Sequence, residues 1–138
     1  MSVSTSGAVP GQAATHDAQA ATVLDVDALR RLRELDPSGA NHLLERVFQA
    51  FEASAVRLLP QMHAAHSASD HGGVRHVVHT LKSSSASIGA VKMSQLCAEI
   101  ESMIRLGTLD GLPERIDRID RETAAVLKAL KQVQGSAA

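Results

Sequence analysis

Seven histidines fall in a chain of 138 residues. Histidine ionises near neutral pH, and its ring nitrogens can act as nucleophile, base or metal ligand. His76 and His79 stand three residues apart on one helical pattern, a spacing that could supply half of a zinc or iron site. Helical metal sites of this kind also need carboxylates projecting inward from other helices. The matching positions here are Leu, Ile, Val and Met, and Lys82 stands nearby, so a metal-binding bundle is the weaker alternative. His16 lies in the N-terminal stretch. His42, His63 and His66 lie on or at the end of another helical pattern with no acidic partner at ligand spacing, and all four read as solvated. Ser84, Ser85 and Ser87 invite a serine-nucleophile reading, but no acid–base arrangement accompanies them. Cys97 lies on an apolar stripe and reads as a core residue rather than a reactive thiol.

His79 stands apart from the other six by its surroundings. One turn either way on its helical face are Arg75, His76, Lys82 and Ser83, with Gly72 and Ala86 a turn further. That face is polar and small, and it borders the Val74, Val77, Val78, Leu81 stripe. The imidazole should therefore stand exposed at the edge of a helical bundle, since burying it would bury Arg75 and Lys82 as well. Position alone does not separate this residue from an ordinary solvated histidine.

Five helical patterns must position these side chains. Asp25 can cap a short helix with Val26, Leu29 and Leu32 as its apolar positions. Asp36-Pro37 reads as an N-cap and first-turn proline of a second helix, whose stripe runs from Leu44 through Phe48, Phe51 and Leu58 to Met62. Pro60 inside that stripe should kink the helix or break it in two. Asp70 caps a third helix ending at Gly89, and Gly72-Gly73 weakens its first turn by roughly 0.8–1 kcal/mol per glycine. A fourth, with Met93, Cys97 and Ile100 on its stripe, closes at Gly107, and Pro113 opens the last. Four amphipathic helices with short links imply an all-α antiparallel four-helix bundle, with the short N-terminal helix laid across one end. Residues 1–22 read as a flexible tail, 23–134 as the bundle and 135–138 as a frayed end.

Composition narrows the function classes. Apolar residues make up 44% of the chain, yet it holds two Phe and no Trp or Tyr. Strands favour aromatic and β-branched side chains, so this composition disfavours sheet. The net charge of −1 offers no general attraction to nucleic acid or anionic membrane, and without aromatics there is no platform for stacking bases. A single cysteine excludes an internal disulfide. No apolar run approaches the ~18–20 residues of a membrane span, and no secretory signal opens the chain. The expectation is a soluble, cytoplasmic protein that binds neither nucleic acid nor membrane.

The string VVHTLKSSSASIGAVKMSQLCAEIE, from Val77 to Glu101, resembles the histidine-containing phosphotransfer (HPt) domains of bacterial multistep phosphorelays. His79, Leu81, Lys82, Ser83, Ser85, Gly89 and Ala90 match the family pattern in order and spacing, and the five-helix layout agrees with it. The resemblance implies that His79 accepts a phosphoryl group on Nε2 from the aspartate of one receiver domain and passes it to another. It also implies that Glu101, twenty-two positions on, accepts a hydrogen bond from Nδ1–H and fixes the tautomer. Without the resemblance, Glu101 reads as a solvated helix charge.

In this reading the nucleophile is the neutral ring. Lys82 disfavours the imidazolium and offsets the arriving negative charge, and Ser83 leaves room for the phosphoryl group. Arg75, His76, Lys82, Ser83 and Ala86 are expected to border the docking patch, together with an adjoining face of the second helix. No Gly-rich phosphate loop or Walker motif is present. The expectation is thus a monomeric relay component without kinase machinery or a cofactor of its own, with the Mg²⁺ of transfer held by the receiver domain of a hybrid kinase or response regulator. A helical adaptor that binds a signalling partner without phosphotransfer is the other alternative.

Overall fold

A computed structural model describes residues 23–137, so the stretch 1–22 read as a tail lies outside the described residues. Five helices form among them: α1 (Val26–Glu34), α2 (Leu43–Ser67), α3 (His71–Ser87), α4 (Val91–Leu106) and α5 (Leu112–Ala137). α5 runs three residues past Gln134, the point where the sequence suggests fraying.

The four long helices bury the stripes their periodicity announces. Phe48, Phe51, Leu58 and Met62 of α2 meet Val74, Val78 and Leu81 of α3, Met93 and Ile100 of α4, and Ile116, Ile119 and Val126 of α5 in one core. The packing order is α2, α3, α4, α5 and back to α2, an antiparallel four-helix bundle. α1 sits at the end where α3 turns into α4. There the Asp25 amide donates to the Gly89 carbonyl at 2.7 Å, and Leu24 and Leu29 are buried. Gly89 has φ +78°, and a Cβ there would lie 2.9 Å from Ala28 Cβ and 3.0 Å from the Asp25 amide nitrogen. The close approach of α1 and the left-handed backbone both require glycine.

Several local expectations need correction. Asp36-Pro37 does not start α2, because residues 36–42 form turns and His42 is the N-cap. Asp36 still caps the helix, from a distance: its carboxylate accepts from the Leu43 amide at 3.1 Å and the Asn41 amide at 3.3 Å. A side chain reaching back from the preceding turn satisfies the same orphan donors as one at the N-cap. Pro60 does not break α2, which continues to Ser67. Pro60 and Val56 are both exposed. The carbonyl four residues before the proline therefore loses its helical donor on the solvent side, where water can replace it. Val26, expected on the buried stripe of α1, is 57% exposed, and Ala28 is buried beside Leu29.

The Gly72-Gly73 pair resolves into two different positions. At Gly73 a Cβ would lie 2.9 Å from Ala65 Cβ of α2 and 2.7 Å from the Asp70 carboxylate, so α3 approaches α2 through a missing side chain. The same Asp70 caps α3 by accepting from the Gly73 amide at 3.0 Å. Gly72 is exposed, with only Asp70 Oδ1 at 3.6 Å from a Cβ built there.

Candidate functional site

The buried stripe of α3 is Val74, Val77, Val78, Leu81 and Ser85, continued by Ile88 just past its end. Because an α-helix turns 100° per residue, residues 75, 79, 82 and 86 follow one another along the flank of that stripe facing α4. His79 occupies the outer part of this flank with its side chain 65% exposed. Across the groove, Glu101 of α4 projects toward it with only 14% of its side chain exposed.

Glu101 receives two donors. His79 Nδ1 lies 2.7 Å from Glu101 Oε2, and Lys82 Nζ donates to Oε1 at 2.6 Å. The Lys82 ammonium and then the His79 contact hold the Glu101 carboxyl below the usual carboxylate range, against a smaller opposing effect of burial. An ionised carboxylate only accepts, so Nδ1 carries a proton against Glu101, and in the neutral ring the lone pair is then on Nε2, on the outer side. Among the described residues, no protein group hydrogen-bonds Nε2.

Backbone contacts fix this group further. Ser94 Oγ at the start of α4 donates to the Lys82 carbonyl at 3.1 Å, joining the two helices beside the site. Ser85, fully buried, donates to the Leu81 carbonyl at 2.6 Å, and Ser84 and Ser87 donate to the Thr80 and Ser84 carbonyls. These hydroxyls are engaged by their own helix, a common use of serine in helix interiors. Cys97 is buried beneath, its thiol pushed up to about 12 mainly by burial, which leaves it inert as a nucleophile at neutral pH.

Arg75, His76, Ser83 and Ala86 are exposed on the surface of α3 around His79. They do not form one cluster. Gly72, Arg75, His76, His79 and Glu101 line an open depression of about 350 Å³, whereas Lys82, Ser83 and Ala86 lie outside it, toward the C-terminal end of α3. The acidic partners missed in the sequence are those of two other histidines. His42 Nδ1 lies 2.7 Å from Glu45 Oε1, and His63 Nε2 lies 2.7 Å from Asp120 Oδ2 of α5. The first pairing is visible as an i, i+3 spacing, but the second spans fifty-seven residues and needs the fold. Among the described residues, no group of three or more His, Cys, Asp or Glu side chains could hold a metal ion. Likewise, no helix among them is long and apolar enough to cross a membrane.

Comparison with known proteins places this geometry in a family. Residues 46–134 match the model of the Hpt domain. Over 110 residues the chain is 26% identical to histidine-containing phosphotransfer protein 2 of Arabidopsis thaliana, covering 78% of this chain and 70% of that protein. The crystal structure of histidine-containing phosphotransfer protein B (HptB) from Pseudomonas aeruginosa PAO1 superimposes with a TM-score of 0.69 at 32% identity, covering 83% of this chain and 96% of that one. With a family match over most of its length and a bundle of the same architecture, the chain belongs to the Hpt domain family, the histidine phosphotransfer intermediates of signalling phosphorelays.

Proposed function

We propose that His79 is the phosphoryl carrier of this relay protein and that Nε2 is the reacting atom. The observation that carries this is a single contact: Nδ1 rests on Glu101 at 2.7 Å while the side chain is 65% exposed. That contact turns the free lone pair outward, where the aspartyl phosphate of a receiver domain can reach it in line.

The Nε2 lone pair forms the N–P bond as the P–O bond to the receiver's aspartate breaks, and the electron pair leaves on the carboxylate oxygen. The ring becomes positively charged, and Glu101 stabilises that charge through the Nδ1–H it already accepts, or takes the proton. Reversing the step on a second receiver returns the neutral ring. The Mg²⁺ that assists phosphoryl transfer is supplied by the acidic cluster of the receiver.

The other side chains take supporting roles. Lys82 fixes Glu101 and so the ring, because its ammonium is bound to Oε1. Ser83, small and exposed, keeps the approach open on the C-terminal side, and Arg75, His76 and Ala86 border the surface on which receiver domains of a hybrid kinase or response regulator dock. The protein works as a monomer in the cytoplasm, with no ATP site or cofactor of its own.

Incubation with a purified receiver domain labelled on its aspartate tests this. Wild type should acquire an acid-labile, alkali-stable label that His79→Gln does not. Transfer to His79→Gln at the wild-type rate would overturn the assignment, and binding of the receiver without any label would favour an adaptor.

A further inference from the structure

The depression beside His79 lies on the N-terminal side of the ring. The open depression is lined by the ring itself, Glu101 and the preceding turns of α3 at Gly72, Arg75 and His76. Helical side chains lean toward the N-terminus of their helix, so the imidazole covers the turn that carries Arg75 and His76. Gly72 adds no side chain to the floor. A Cβ there would meet nothing nearer than 3.6 Å.

Two cationic side chains flank the ring, and they differ in availability. Lys82 donates to Glu101 at 2.6 Å with 35% of its side chain exposed, so its charge is already opposed by a carboxylate. Arg75 is exposed, and among the described residues no carboxylate pairs with it. Its position four residues before His79 places the two Cβ atoms roughly 6 Å apart on one face. The guanidinium is long enough to reach a group on Nε2. A phosphoryl group brings three strong acceptor oxygens and nearly two negative charges, and guanidinium offers paired donors in a matching plane.

We propose that Arg75 binds the phosphoryl oxygens of phospho-His79 and thereby sets the equilibrium of phosphoryl exchange with the receiver, while Lys82 serves as a positioning residue through Glu101. This rests on His79 being the acceptor. The depression is then the seat of the phosphoryl group in the free phosphorylated protein, before any second receiver arrives.

The test is the equilibrium constant for exchange between this chain and one purified receiver domain, with both phosphorylated forms quantified on phosphate-affinity gels. That constant compares free species, so a residue that acts only in docking changes the rates in both directions and leaves the constant unmoved. Arg75→Ala should shift it about threefold to fivefold toward the phosphorylated receiver at low salt, the range of an exposed ion pair. Added salt should shrink the shift, and Arg75→Lys should recover part of it. Arg118→Ala, which removes the same charge from the α4–α5 face, should leave the constant as in wild type. The ³¹P resonance of the phosphorylated chain alone should also move in Arg75→Ala. An unchanged constant and resonance in Arg75→Ala, with label still on His79, overturns the Arg75 proposal alone. Label that persists on His79→Gln overturns the acceptor assignment, and this proposal with it.

Discussion

One carboxylate organises the site. Glu101 accepts from Lys82 on one oxygen and faces His79 on the other, so removing it frees the ring and the ammonium together. Hydrogen bonds to charged groups are worth ~1.5–3 kcal/mol, so Glu101→Ala should slow phosphotransfer by roughly tenfold or more. Glu101→Gln, which keeps an acceptor oxygen for Nδ1–H, should lose less; single-turnover transfer kinetics check both. The lowered Glu101 carboxyl also makes stability depend on pH. Its contribution is fully present above the ordinary glutamate value of about 4.3 and is lost as pH falls through the lower folded value. A plot of Tm against pH should therefore be flatter below about pH 4 in Glu101→Gln than in wild type, with a lower plateau near neutrality. The sequence alone leaves this residue a solvated charge. Only the family spacing suggests its contact with the ring, and its tie to Lys82 was missed because helix periodicity says nothing about which residues face each other across two helices.

Helix by helix, most of the buried stripes were legible because they repeat at three and four residues, and Asp70, Gly89 and Gly107 mark ends that the structure uses. What was not legible depends on contacts between elements. Gly72 and Gly73 look alike in sequence, yet only Gly73 faces a neighbouring helix. Gly73→Ala should destabilise the fold by about 1–3 kcal/mol through the clash with Ala65. Gly72→Ala, on the exposed first turn with no contact nearer than 3.6 Å, should stabilise it by up to about 1 kcal/mol. Urea denaturation of the two variants should move the midpoints in opposite directions. Pro60 misleads for a related reason: the cost of a missing backbone bond depends on whether water reaches the orphaned carbonyl. Pro60→Ala should restore that bond in an unbroken α2 and stabilise the protein by about 1–3 kcal/mol in the same assay.

At the scale of the whole molecule, the bundle is a rigid support for one exposed ring. Its core draws on all five helices, and the site spans α3 and α4, so the distance from Nδ1 to Glu101 is held by the packing of that pair. Composition argues against classes that would need stacking aromatics or a long apolar span, but it does not say which histidine matters. That came from the family pattern around His79, and the depression lined by Arg75 depends on how α3 and α4 pack. Reaction at Nε2 predicts that, in ¹⁵N NMR of the histidine rings after transfer from a phosphorylated receiver domain, phosphorus couples to Nε2 of His79 while Nδ1 keeps its proton against Glu101. Coupling to Nδ1, or to the ring of another histidine, would contradict it.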